Sequence, residues 1–282
     1  MALICIVIAL IIDRSSEVLE QWRSFHWFER YCQWMVNHLP GLINQGASLV
    51  IILLLPLGLL TVIIQNGLDG AFFNLFSLLF ALAVIAYSLG PVELNRQIDT
   101  YLAEREAGND ETATELASEI IGRPASSAPD QQTADVMHAI LSESNDRIFC
   151  VIFWFLILGP LGALMFRLNS HIMYTSQNET LREAASRLQA ILAWAPAHLV
   201  AVGYALTGNY EGASQGYREK IKQDNLSDCN YHTLITAGLG ALKDCEPGEE
   251  TACIRSTRGL VLRTLVVWVA VIAVLTLIGW MA

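Results

Sequence analysis

Glu143, Asn145, Asp146 and Arg147 stand together immediately before the apolar run Ile148–Leu168. Two carboxylates and an amide at a helix start are oxygen ligands of the kind a hard cation such as Mg²⁺ takes. Polar groups gathered beside a membrane segment are also the first place to seek function. A plainer reading has the acids satisfying the positive end of a helix and pairing with Arg147. Downstream, Arg167 and His171 lie one turn apart. With Arg147 they form a candidate anion site for a nucleotide or a sugar-linked carboxylate, although anchoring of a membrane end by positive charge explains them as simply. His198 follows Pro196 in apolar surroundings, as a residue titrating near neutrality or as a hydrogen-bonded core histidine. These seven residues are ligand-binding candidates; none is read as catalytic, and no metal is specified.

The elements that must position them are set by composition. The 282 residues are 54% hydrophobic and 16% charged, against about 25% charged residues in an ordinary soluble domain. The surplus is concentrated in blocks, which predicts a polytopic, all-α membrane protein with four to six membrane segments. A net charge of −10 argues against nucleic acid, which selects basic faces. A spanning helix needs roughly 20 apolar residues, and Ser48–Ile64, Ala71–Leu89 and Leu260–Ala282 meet this. Ile148–Leu168 is long enough, but Gly159-Pro160 sits in its middle. Either one kinked span or two half-helices result; the broken form is also the one motive for a transporter reading. Gln189–Leu206, interrupted by Pro196 and His198, is either a short span or a helix packed on the bundle. Met1–Ile12 reads as a tilted or interfacial helix, ending near the Asp13-Arg14 ion pair.

Five regions follow: an N-terminal membrane region 1–90, an acidic helical region 91–147, a central segment 148–208, a second hydrophilic helical region 209–258 and a terminal span 259–282. Within the first, Ser16–Leu39 is an aromatic-rich helix suited to the headgroup level. Pro91–Arg147 holds twelve acids against four basic residues. Its periodicity predicts three helices, the first ending near Gly108-Asn109, the second capped by Asp110 and ending at Gly122, the third capped by Asp130. Asn209–Arg258 predicts helices near Ser214–Gln223 and Tyr231–Leu242. Arg14, Arg23 and Arg30, and the basic residues of 91–147, place those faces in the cytoplasm. There Cys229, Cys245 and Cys253, too far apart for a zinc ribbon, are expected to remain thiols.

The run Glu143–Asn169 (ESNDRIFCVIFWFLILGPLGALMFRLN) resembles the central signature of the AmpE / CobD-CbiB family of inner-membrane proteins. Ile121-Gly122-Arg123, Ala184–Leu199 (AASRLQAILAWAPAHL) and Ala237–Leu242 (AGLGAL) resemble further elements of the synthase branch, in order, over roughly residues 90 to 245. That branch makes an amide on a corrin side chain at the expense of ATP and uses acidic residues for metal and nucleotide. Here its aspartate pair is replaced by Gln189-Ala190, an arginine by His198, and the aspartate after Gly-Arg by Pro124. A further aspartate is missing from Asn169–Met173. A site that neutralises phosphate needs carboxylate-held metal. Chain length, Asp13-Arg14, the Trp194–Gly208 run and the terminal span resemble the AmpE branch. The resemblance thus implies a multi-pass protein of the bacterial inner membrane, regulatory and linked to β-lactamase induction and cell-wall recycling. The ATP-dependent cobalamin-type amide synthase is the alternative. Expected partners are the lipid bilayer and a small-molecule or nucleotide ligand, with ATP and Mg²⁺ implied by resemblance alone; the oligomeric state is left open.

Overall fold

A computed structural model describes residues 2–15, 25–38, 46–68, 75–218, 225–242 and 249–279. Every regular element among them is helical. In chain order these are α1 (Ala2–Ser15), α2 (His26–His38), α3 (Gly46–Leu68), α4 (Leu75–Ser88), α5 (Pro91–Ala107), α6 (Asp110–Ile121) and α7 (Pro129–Ser144). A π-helical turn, Asn145–Phe149, leads into α8 (Cys150–Leu158), followed by α9 (Pro160–Thr175), α10 (Glu179–Thr207), α11 (Tyr210–Arg218), α12 (Leu226–Ala241) and α13 (Glu250–Leu277). Among the described residues three helices are long and apolar enough to cross a membrane: Ser48–Leu68, Glu179–Thr207 and Glu250–Leu277. Ala2–Ile12 and Leu75–Ser88 are shorter apolar helices. Leu55, Leu59 and Ile63 on α3, and Val266 and Val274 on α13, are exposed. Apolar stripes of that size have lipid as their natural solvent. The chain is a polytopic all-α membrane protein.

The chain divides into two compact units, residues 1–89, 150–194 and 275–282 in one, 90–149 and 195–274 in the other. In the first, α1 packs on α4, and α9 packs on α3 and α4. Its core gathers Phe28, Leu49, Leu53, Leu168 and Ala185. The central apolar segment is broken, as one of its two readings expects. Gly159 adopts φ 65°, ψ −150° between α8 and α9, a region that residues with a Cβ avoid. The chain folds back so sharply there that a Cβ on Gly162 would lie 2.2 Å from the Trp154 carbonyl oxygen. Gln189–Leu206 resolves into part of α10, a continuous 29-residue helix that keeps Pro196 inside.

In the second unit, α5, α6 and α7 pack in sequence and α12 packs on α7 and α11. Tyr101, Phe149 and Tyr204 are wholly buried in its core, Phe149 contributing roughly 1.5–3 kcal/mol relative to exposure. Helices end where expected, at Gly108 (φ 77°) and Gly122 (φ 73°). Two caps differ from expectation. Asp110 is the first residue of α6, not its cap, and is drawn to Arg105 at 2.8 Å. Asp130 lies in the first turn of α7 behind Pro129, which takes the initiating position because its missing N–H costs nothing there. The predicted helix over Ser16–Leu39 is described only as α2, residues 16–24 and 39 lying outside the described residues. Of the two helices predicted within 209–258, residues 219–223 of the first lie outside them, and the second is part of α12, which starts earlier, at Leu226. Cys229 is a free thiol. Cys253 is disulfide-bonded, against the expectation of thiols, which rested on compartment and not on geometry. Cys245 lies outside the described residues.

Candidate functional site

The patch 143–147 lies in the second unit, where α7 gives way to the π-helical turn. Such turns insert one extra residue and frequently mark functional positions. Here the insertion turns Asn145 inward, with 1% of its surface exposed. Its amide nitrogen donates to Asp146 Oδ1 at 3.2 Å. Arg147 Nε donates to Glu143 Oε2 at 2.8 Å, both side chains about one-fifth exposed. Glu143 thus pairs with Arg147, while Asp146 lies against the buried amide.

The other candidates belong to different units. His198 meets Tyr217 edge to face at 6.0 Å in the second unit. Arg167 and His171 belong to the first unit and face the aromatic side chains at and just before the start of α2. The Arg167 guanidinium lies 5.7 Å from the Phe25 ring centroid, and His171 stacks on Phe25 at 4.7 Å. His171 Nε2 lies 3.2 Å from Glu29 Oε1. Burial pulls the His171 imidazole below its ordinary pKa, against the opposing pull of Glu29 and aided by Arg167 and His26.

Sequence reasoning missed two arrangements. The first is a buried carboxylate, Asp135, 7% exposed, which Arg123 reaches at 3.2 Å and to which Gln131 donates at 3.1 Å. Arg123 stands in the Ile121-Gly122-Arg123 element, so that element was the available signal. Pro124 follows it in the loop before α7, the helix that carries Asp135. The second is a cavity of about 250 Å³ in the first unit between α2, the end of α9 and the start of α10. Gln189, at one of the replaced positions, holds the helix pair together. Buried Asn169 donates from Nδ2 to Gln189 Oε1 and to the Ala185 carbonyl, each at 3.0 Å.

The profile of a family described as CobD/Cbib protein matches residues 6–243. A cobalamin biosynthesis protein CobD of Chromobacterium violaceum is 26% identical over 205 residues, covering 70% of this chain and 63% of that protein. A cobalamin biosynthesis protein CobD of Stutzerimonas stutzeri is 34% identical over 110 residues, 37% of this chain and 35% of its own. The matched stretches thus span less than two thirds of either relative. No solved structure matches. These relatives overturn the expectation of an AmpE-type regulator of β-lactamase induction: the names they carry are those of cobalamin biosynthesis. With the family profile covering most of its length, the chain belongs to the CobD/CbiB family.

Proposed function

We propose that this chain is a bacterial inner-membrane protein of cobalamin biosynthesis, serving the step that joins an amine to a corrin side-chain carboxyl as an amide. The observation that carries the reading is the acid-amide patch at the π-helical turn, in a chain whose family match runs over residues 6–243. Asn145 and Asp146 hold a buried amide against a carboxylate, acceptors suited to orienting an incoming N–H group. A magnesium-bound nucleotide would need several carboxylates in one place. Among the described residues no three His, Cys, Asp or Glu side chains are so gathered, and Glu143 is committed to Arg147. These residues do not fit that group as they stand, and no step is written through it.

Growth complementation tests the reading. Expressed in a bacterium lacking its own CobD-type protein and fed a corrin that lacks the amide, the chain should restore cobalamin-dependent growth. Asp146→Asn and Asn145→Ala should abolish rescue while the protein still accumulates in the membrane. No rescue by correctly inserted wild type would sink it.

A further inference from the structure

Helix α2 lies across the ends of other helices of the first unit. Its inner face, Phe28 with Tyr31, Met35 and Val36, shares a core with Leu49 and Leu53 in the first turns of α3. Leu181 and Ala185, in the first turns of α10, belong to the same core. Two hydrogen bonds fix the helix there. Tyr31 Oη donates to the Leu53 carbonyl at 3.2 Å. Trp27 Nε1 donates at 3.0 Å to the hydroxyl of Tyr87, in the last turn of α4. Helices α3 and α10 are both long and apolar enough to cross a membrane. The first turns of α10 carry Glu179, Arg182 and Glu183, so α2 sits at the level where hydrocarbon gives way to water.

The outward face of α2 is of a different kind. Trp27 is 43% exposed and Trp34 55%. The Trp34 ring packs on His38 at 4.6 Å, and His38 Nδ1 lies 2.8 Å from the Trp34 carbonyl oxygen. Arg30 follows Trp27 by three residues and precedes Trp34 by four, so the three form one stripe. Among the described residues Arg30 forms no ion pair, and its one hydrogen bond runs from Nε to the His26 carbonyl at 3.4 Å. Glu29, the one acid of α2, is engaged with His171 at 3.2 Å.

Charge decides which surface this stripe meets. Tryptophan rings favour the headgroup level whatever the lipid. A guanidinium adds selection, because its fork matches a phosphate. In a zwitterionic headgroup an ammonium offsets that phosphate, and in an anionic one nothing does. With a net charge of −10, the chain as a whole is repelled by an anionic surface, so a preference for one must arise at a local cation.

We propose that the outward face of α2 binds an anionic phospholipid, its phosphate on Arg30 and its glycerol region between Trp27 and Trp34. The surface lies wholly in the first unit, and its existence does not rest on the corrin reading.

Photolabelling in a bilayer tests it. The full chain is reconstituted into phosphatidylcholine vesicles holding a trace of phosphatidylglycerol, or of phosphatidylcholine, with a diazirine at the glycerol end of an acyl chain. Labelled residues are mapped by peptide mass spectrometry. Labelling of residues 26–38 should be about fivefold greater from phosphatidylglycerol, the scale of one cation near an anionic surface. Excess unlabelled phosphatidylglycerol should suppress it, and soluble glycerol phosphate should not. Arg30→Gln, at an exposed position, should bring the two lipids level, while Arg30→Lys keeps most of the preference. Trp34→Glu, which sets a carboxylate one turn from Arg30, should level them independently. Equal labelling of wild type by both lipids, an undiminished preference in Arg30→Gln, or suppression by glycerol phosphate would each overturn the proposal. So would labelling by neither lipid, the result that a second copy of the chain on this face would give.

Discussion

Gly212→Ala should destabilise the second unit although alanine is the better helix former. Gly208, Gly212 and Gly216 stand every fourth residue, and α11 presents the latter two to α12. A Cβ on Gly212 would lie 2.2 Å from the Gly240 carbonyl oxygen, and one on Gly240 would lie 2.2 Å from that of Gly212. A comfortable C···O contact is about 3.3 Å or more, so the helix backbones must part by roughly an ångström. A gap of that size forfeits a quarter to a half of each dispersion contact along the seam. Overpacking of this kind costs about 1–3 kcal/mol, and the gain in helix propensity returns about 0.8–1.0. The net expectation is a loss of up to about 2 kcal/mol, or several degrees in Tm for a chain of this size. Gly259→Ala is the control, because a Cβ there meets only the Arg263 guanidinium at 3.4 Å; it keeps the propensity gain with no backbone to displace. Thermal unfolding in detergent, followed by helical circular dichroism, compares them. If Gly212→Ala melts at or above wild type, as Gly259→Ala should, the close-packing argument is refuted.

Three further outcomes are expected. Gly159→Ala places a Cβ at φ 65°, ψ −150°, costing about 1–3 kcal/mol, and a melting curve that matches wild type would show that the turn is not strained by a side chain. Gln132→Leu orphans the Tyr101 hydroxyl, which donates to Gln132 Oε1 at 3.2 Å, and removes the bonds from Nε2 to Thr114 Oγ1 and the Ser126 carbonyl. The loss should be about 1–3 kcal/mol, read as a shifted denaturation midpoint, and no shift would refute a buried network. His171 is held below its ordinary pKa in the folded state, so the unfolded chain takes its proton first as pH falls. Its contribution to stability should be complete above about 6.5 and decline below that value toward the folded pKa. Wild type should therefore lose Tm relative to His171→Asn on acidification, and parallel pH profiles would refute the assignment.

Much of the fold was legible because its signals are local. Apolar blocks fixed α3 and α13, and Gly108 and Gly122 stopped α5 and α6 where a left-handed residue must follow a helix. Gly159-Pro160 left one kinked span or two half-helices open, and coordinates were needed to decide for the break and to show, from Trp154 against Gly162, how sharp it is. The glycine seam was present as a spacing of four, but glycine carries no hydropathy signal, so periodicity of apolar residues passed over it. The Glu29–His171 contact joins residues distant in sequence, and the Arg123–Asp135 pair spans the turn between two successive helices, so packing of the helices is what brings each together.

The replaced acids misled most, and the structure shows why. Along the sequence Gln189 and Pro124 look like lost chemistry, which favours a regulator over a synthase. Gln189 is instead an acceptor for buried Asn169, on the facing helix. Beside Pro124, Arg123 finds its counter-charge in Asp135, on the helix that follows. A substitution at a family position removes a function only if no neighbour supplies the same group. In the second unit Asp135, Glu143 and Asp146 keep three carboxylates along α7 and its π-helical end. One is buried against arginine, one is ion-paired, and one rests on a buried amide. Counting acids along the sequence treats these as interchangeable. Their partners make them different, and leave Asp146 as the carboxylate that substitution should test first.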